Sequence, residues 1–206
     1  MRIATVAGVV FSVLSLHALA VPAAAADLRP VDSFATISDE AARSVALFEE
    51  SAKVITHPRC VNCHPVDNSP RQGMDMRLHE PPVVRGEADM GAPGMMCTTC
   101  HGPENVPVVA QAEGIGSIPG NPAWHLAPLS MGWIGVSPGA ICAQLKDPAR
   151  NGGRDLAAIV EHMAHDDLVG WAWNPGAGRE PAPGTQERFG ALIQAWVDTG
   201  AHCPTP

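Results

Sequence analysis

Apolar residues at helical spacing mark four segments of the chain. The clearest lies near the C terminus, where five apolar residues follow the spacing i, i+3, i+4, i+7 and i+8: Phe189, Leu192, Ile193, Trp196 and Val197. The pattern predicts an amphipathic helix that Thr185 caps and that ends at Gly200. Three more helices are predicted, from Ser38 to about Lys53, from Ser137 to about Lys146 and from about Asp155 to His165.

The stretch between His57 and Pro128 predicts turns rather than regular structure. Pro–Pro and Pro–Gly pairs interrupt it at 81–82, 93–94 and 119–120. No run of alternating apolar residues in the sequence requires a sheet. The hydrophobic pattern therefore predicts a mostly α protein with extensive irregular loops.

Residues 1–26 have the pattern of a secretory signal peptide. Arg2 supplies the positive start, an apolar run follows, and Ala24 and Ala26 form the A-x-A ending. The sequence therefore predicts export to the periplasm and a single mature domain at 27–206. The apolar run is nearly long enough to span a bilayer, so an uncleaved membrane anchor is the alternative.

Composition suggests a core that is short of its own large side chains. The chain has 20 Gly, 20 Pro, four Phe and no Tyr, so a bound group could fill part of the interior. The formal net charge of −8 becomes −9 without Arg2, the one charged residue in 1–26. This charge argues against nucleic acid as a partner and suits a redox partner with a positive face.

Two segments have the form C-x-x-C-H, at 60–64 and 97–101, which is the attachment signature of haem c. Two thiols three positions apart reach both vinyl groups of one porphyrin, and the adjacent His becomes the proximal iron ligand. The six residues predicted to hold two haem c groups are Cys60, Cys63, His64, Cys97, Cys100 and His101. A redox-active dithiol or half of a zinc site is the alternative for each motif alone, but two copies in an exported chain favour haem.

Cys142 and Cys203 lie outside both motifs. A disulfide that ties the helix opened by Pro138 to the end of the last helix is the simplest interpretation in an oxidising compartment. A free reactive thiol is the alternative.

The distal iron ligands are less clearly marked. His79 lies in the loop between the motifs, and His162 lies among apolar helix positions; these two are the leading candidates. His125, with apolar neighbours, comes next, and Met131 is the leading Met. An exposed or hydrogen-bonded side chain is the alternative for each His, and the choice matters because Met/His ligation raises the potential.

The motifs resemble those of multihaem-type c cytochromes. They begin 37 residues apart, too close for two monohaem domains in tandem, which implies one compact dihaem unit. The stretch from Cys60 to Pro204 also resembles exported proteins labelled isoquinoline 1-oxidoreductase subunits. The matching pieces are 97–101, 124–128, 146–154 and 171–176. That resemblance implies an electron acceptor that serves a molybdenum hydroxylase.

The sequence therefore predicts an electron carrier between an oxidoreductase and the respiratory chain rather than an enzyme. One alternative is a small dihaem enzyme such as a peroxidase, which needs one iron with an open sixth position; the known dihaem peroxidases are much longer chains. The other alternative is a binding module that zinc or disulfides stabilise.

Overall fold

The computed structural model of the chain describes residues 27–108 and 117–206. The predicted signal peptide at 1–26 lies outside the described residues. Among the helices of the two described ranges, none is long and apolar enough to cross a membrane.

Helices and loops dominate the described residues, which confirms the mostly α fold with irregular loops. The α-helices are α1 (Glu40–Ile55), α2 (Pro58–Val61), α3 (Pro138–Leu145), α4 (Leu156–His165), α5 (Asp167–Gly170) and α6 (Gln186–Asp198). Short 3-10 helices lie at Val31–Phe34, Cys97–Thr99, Leu129–Met131 and Trp171–Trp173.

Side-chain caps begin three helices, and the two that the sequence predicts, Ser137 and Thr185, are confirmed. The side chains of Ser137, Asp155 and Thr185 each accept a hydrogen bond from a backbone N–H three residues further on. Such a bond satisfies one of the amide groups that a helix leaves free at its start. Local sequence chemistry is therefore sufficient to set the beginnings of α3, α4 and α6.

The predicted start of the first helix is wrong by one residue. Asp39, not Ser38, caps α1, and its carboxylate accepts from the Ala42 N–H at 2.7 Å. A carboxylate suits the positive end of a helix better than a hydroxyl, because it carries a full negative charge. The helix also runs to Ile55, two residues beyond the predicted end at Lys53.

Helix α6 packs against both α1 and α4 and forms the centre of the core. Trp196 is fully buried, with its ring centroid 5.1 Å from that of Phe48 on α1. Against α4, Gly190 lets α6 approach Ala164 so closely that a Cβ at position 190 would lie 2.5 Å from the Ala164 Cβ. Helices α1, α4 and α6 therefore form one closely packed unit.

Cys142 on α3 and Cys203 near the C terminus form a disulfide, which is the pairing that the sequence favoured. The two residues are 61 positions apart in the chain. Beside them, the Lys146 ammonium donates to the Ala201 carbonyl at 2.7 Å. The end of the chain is thus held against α3.

The region from His57 to Pro128 has more regular structure than the sequence predicts. Helix α2 begins at Pro58, and the half-buried His57 ring caps it by accepting from the Arg59 N–H. Three antiparallel pairs of two-residue strands follow: β1 (Arg71–Gln72) with β2 (Arg77–Leu78), β3 (Gly91–Ala92) with β4 (Met95–Met96), and β5 (Val106–Pro107) with β6 (Ser117–Ile118). Strands this short are too brief to produce a readable apolar alternation.

A buried arginine holds this region together. Arg85 is 5% exposed and donates to the backbone carbonyls of Pro65, Asp67 and Ala127. Its guanidinium also forms an ion pair of 2.6 Å with Asp89. One side chain therefore joins the chain after the first motif to the segment that carries His125.

Candidate functional site

Both C-x-x-C-H motifs lie on a short helical turn. In the first, the Cys63 N–H donates to the Cys60 carbonyl at 3.1 Å. In the second, the Cys100 N–H donates to the Cys97 carbonyl at 3.2 Å. Because residues three apart on a helical turn face the same side, each pair of thiols can reach one flat group.

The four motif cysteines are free thiols, whereas the other two cysteines are paired. Burial raises the pKa of Cys60 to about 12 and, together with neighbouring Cys97, the pKa of Cys63 to about 11. Burial also raises the pKa of Cys97. Cys60, Cys63 and Cys97 are therefore protonated at neutral pH, and a protonated thiol oxidises less readily than a thiolate.

The His64 ring is fixed on two sides. Its Nδ1 donates to the Met131 carbonyl at 2.8 Å, and the ring stacks on Trp133 with centroids 3.4 Å apart and planes 7° apart. Burial lowers the pKa of His64 to about 3, so the ring is neutral. The buried Met131, the leading Met in the sequence analysis, thus contacts His64 through its carbonyl oxygen.

The His101 ring repeats this environment. Its Nδ1 donates to the Pro119 carbonyl at 2.8 Å, and the ring stacks on Trp124 with centroids 4.6 Å apart. Burial is the main cause that lowers the pKa of His101. Each motif His therefore combines a backbone acceptor on Nδ1 with a Trp against its face.

The predicted distal ligands divide between two cavities. The first cavity, about 980 Å³ with part of it open to solvent, is lined by His64, His125 and His162. The second, about 1050 Å³ and also partly open, is lined by His79 and His101. The ring centroids of His79 and His101 lie 5.9 Å apart. Each motif His thus shares a cavity with at least one of the histidines predicted as distal iron ligands.

The three candidate distal histidines also use Nδ1 for a hydrogen bond. His79 donates to the Pro81 carbonyl at 2.9 Å, His162 contacts the Asp166 carboxylate at 3.0 Å, and His125 donates to the carbonyl two residues before it. Burial lowers the pKa of His162, although Asp166 opposes this shift. Within the described part of the chain, Nε2 of all five rings makes no hydrogen bond.

The two cavities are neighbours. Four residues line both: Arg59, Cys63, Trp124 and Trp171. The rings of Trp124 and Trp171 meet edge to face, with centroids 4.9 Å apart. Groups bound in the two cavities would therefore be separated by about one layer of side chains.

The side chains present fit the haem c groups that the motifs imply. Each motif presents two free thiols and a histidine whose Nε2 is available. Two buried polar atoms in the cavity walls, Trp133 Nε1 and Asn62 Oδ1, have no hydrogen-bond partner among the residues that the structure describes. Residues 27–108 and 117–206 hold no cluster of three or more His, Cys, Asp or Glu placed to bind a lone metal ion. A haem iron takes four ligands from its porphyrin and needs just two from the chain.

Sequence reasoning missed the residues that orient the motif histidines. Trp133 and the Met131 carbonyl contact His64 from 67 or more residues away, and Trp124 contacts His101 from 23 residues away. Nothing in the local spacing of the motifs marks these partners. The abundance of Trp in a chain poor in other aromatic residues was the available signal.

No known protein family, curated protein or solved structure matches this chain in sequence or fold comparisons.

Proposed function

We propose that the chain is an exported dihaem c-type cytochrome that transfers electrons. Cys60, Cys63 and His64 would hold one haem in the first cavity, and Cys97, Cys100 and His101 would hold the other in the second. A bound haem c supplies one-electron chemistry, because its iron alternates between the ferric and ferrous states.

The hydrogen bonding of the five cavity histidines carries this proposal. A carbonyl oxygen can only accept, so a ring that contacts one through Nδ1 must keep its proton there, and a neutral ring held in this way presents an unprotonated Nε2. Histidines that bind metals are held by this kind of second hydrogen bond, which fixes the tautomer and the orientation of the ring.

The distribution of the rings supports one histidine pair for each iron. His79 is the partner that we assign to His101, since both line the second cavity. His162 is the partner that we assign to His64, with His125 as the competing candidate in the same cavity. Two imidazole ligands would give each iron a lower potential than a Met/His pair.

The shared wall of the cavities supports direct exchange of electrons between the two haems. Cys63 and Trp124 border both cavities, so no further protein layer separates them. The pattern of residues 1–26 favours a periplasmic location. The resemblance to isoquinoline 1-oxidoreductase subunits favours a molybdenum hydroxylase as the electron donor, with the respiratory chain as acceptor.

One observation favours a second candidate function, a small dihaem peroxidase. The first cavity holds three histidines, His64, His125 and His162, but an iron accepts two axial ligands from the chain. If His125 and His162 both stay unbound, the sixth position of that iron is open. The His162–Asp166 pair would then supply a general acid and base beside it.

Optical and electron paramagnetic resonance spectra of the haem-loaded protein separate the two functions. An electron carrier with two histidine pairs gives two low-spin haems whose spectra do not change when cyanide or peroxide is added. A high-spin component that binds cyanide would contradict the carrier and support the peroxidase.

A further inference from the structure

Arg59 is a buried cation at the junction of the two cavities. It directly precedes Cys60, it is 7% exposed, and it lines both cavities. Its Nε donates to the Glu180 carbonyl at 2.6 Å, and its Nη2 lies 3.4 Å from the Met74 sulfur. Within the described ranges, its Nη1 has no acceptor and no carboxylate lies at ion-pair distance.

Arg59 differs from the arginines that are paired with carboxylates, and it is the least exposed of the described arginines that form no ion pair. Five arginines form ion pairs with carboxylates: Arg43, Arg71, Arg77, Arg85 and Arg188. A guanidinium remains charged inside a protein, so a buried one without an anion is costly. A free Nη1 beside a cavity therefore indicates a site for an anionic ligand group.

The surroundings add to the positive charge at this point. Arg179 lines the second cavity, and among the described residues it donates to neutral groups only: the hydroxyl and carbonyl of Ser117 and the carbonyl of Pro175. Glu180 also lines the second cavity, and its charge partly opposes the lowering of the Arg59 pKa by burial, but this residue is exposed and forms no ion pair with Arg59 within the described ranges. In a chain of net charge −8, this local excess of arginine favours a carboxylate ligand.

We propose that Arg59 binds a propionate carboxylate of one of the two bound porphyrins. We further propose that its single charge raises the reduction potentials of both haems. This inference rests on the proposed dihaem function. Reduction lowers the charge of an iron site by one unit, so a fixed cation nearby favours the reduced form. Because Arg59 borders both cavities, it acts on both sites, whereas Arg179 borders one.

The test is a potentiometric titration of the haem-loaded full chain and four variants. R59Q removes the charge, and R59K keeps the charge without the planar fork. R179Q removes a charge from the second cavity alone, and R188Q removes a charge from an exposed ion pair with Asp27 that lies outside both cavities. The haem count of each protein is measured by intact mass.

We expect R59Q to lower both potentials and R59K to keep both close to those of the wild type. R179Q should lower one potential more than the other. R188Q should change neither potential. The proposal is overturned if R59Q keeps two haems and both wild-type potentials, or if R179Q lowers both potentials as much as R59Q. If R59Q loses haem while R59K retains two at wild-type potentials, the anchoring role is supported. A wild-type protein that carries no haem would instead overturn the proposed function itself.

Discussion

A hydrogen bond at Nδ1 prepares a histidine ring for one task, because it leaves Nε2 as the single site for a ligand. His79 and His101 illustrate this at the scale of the residue. Each donates to a carbonyl two or more residues away in the chain, and their rings face a common cavity. The neutral state of His101 follows from burial, which lowers its pKa.

His79→Ala tests the assignment in the second cavity. In the haem-loaded protein, we expect this change to convert roughly half of the low-spin absorbance into a high-spin form that binds cyanide, because one of the two irons would lose a ligand from the chain. His202→Ala is the matched control, since His202 is exposed and lines neither cavity. An unchanged spectrum in the His79 variant would reject this residue as a ligand.

Arg85 makes a different residue-scale contribution, which is to stability. Arg85→Ala should lower the free energy of unfolding by roughly 3–5 kcal/mol, because it leaves Asp89 and three backbone carbonyls, one of them buried, without their donor. Arg77→Ala breaks an exposed ion pair with Asp75 and should cost less than about 1 kcal/mol. Urea denaturation measures both, and equal losses would contradict the structural role of Arg85.

Single residues could be predicted from the sequence where their chemistry is local. The motif cysteines and histidines follow from a five-residue pattern, and the caps Ser137 and Thr185 follow from the residue that precedes each helix. Trp133 and Arg59 could not be predicted in the same way. Their roles depend on contacts that the fold brings together, with the stacking of Trp133 on His64 as the clearest case.

At the scale of the element, close packing between helices positions side chains of the candidate site. Helices α4 and α6 meet at Gly190 and Ala164 with no room for another carbon atom. Helix α4 carries His162, so its placement against α6 sets where that ring enters the first cavity. The apolar stripe predicted that α6 packs on a partner, but it did not reveal this closeness, because Gly190 lacks a side chain to mark it.

Gly190→Ala should therefore destabilise the protein. The added methyl group would lie 2.5 Å from the Ala164 Cβ, and we expect a loss of about 1–3 kcal/mol in unfolding free energy from overpacking. Gln194→Ala, at an exposed position of the same helix, should change the stability by less than about 0.5 kcal/mol. Stabilisation by the Gly190 variant in thermal denaturation would show that the helices are further apart.

At the scale of the whole molecule, the disulfide closes the helical half of the chain. Cys142 and Cys203 enclose a loop that contains α4, α5 and α6. This cross-link limits the freedom of the unfolded chain more than a short loop would. It therefore restrains the three elements that form one wall of the first cavity.

Replacing Cys142 and Cys203 together by Ser should lower the free energy of unfolding by about 4 kcal/mol, as chain entropy predicts for a loop of this length. As a control, chemical denaturation of the wild type under reducing conditions should show the same loss of unfolding free energy relative to the oxidised protein. If the reduced wild type is as stable as the oxidised protein, the disulfide does not stabilise the fold.

The intact mass and haem count of protein made in a host that attaches haem c test the central claim most directly. We predict the mass of residues 27–206 plus two haems, and one haem in a variant that lacks Cys60 and Cys63. A protein that carries no haem, that binds zinc, or that forms disulfides within its C-x-x-C-H motifs would contradict the assignment of this chain as a dihaem cytochrome.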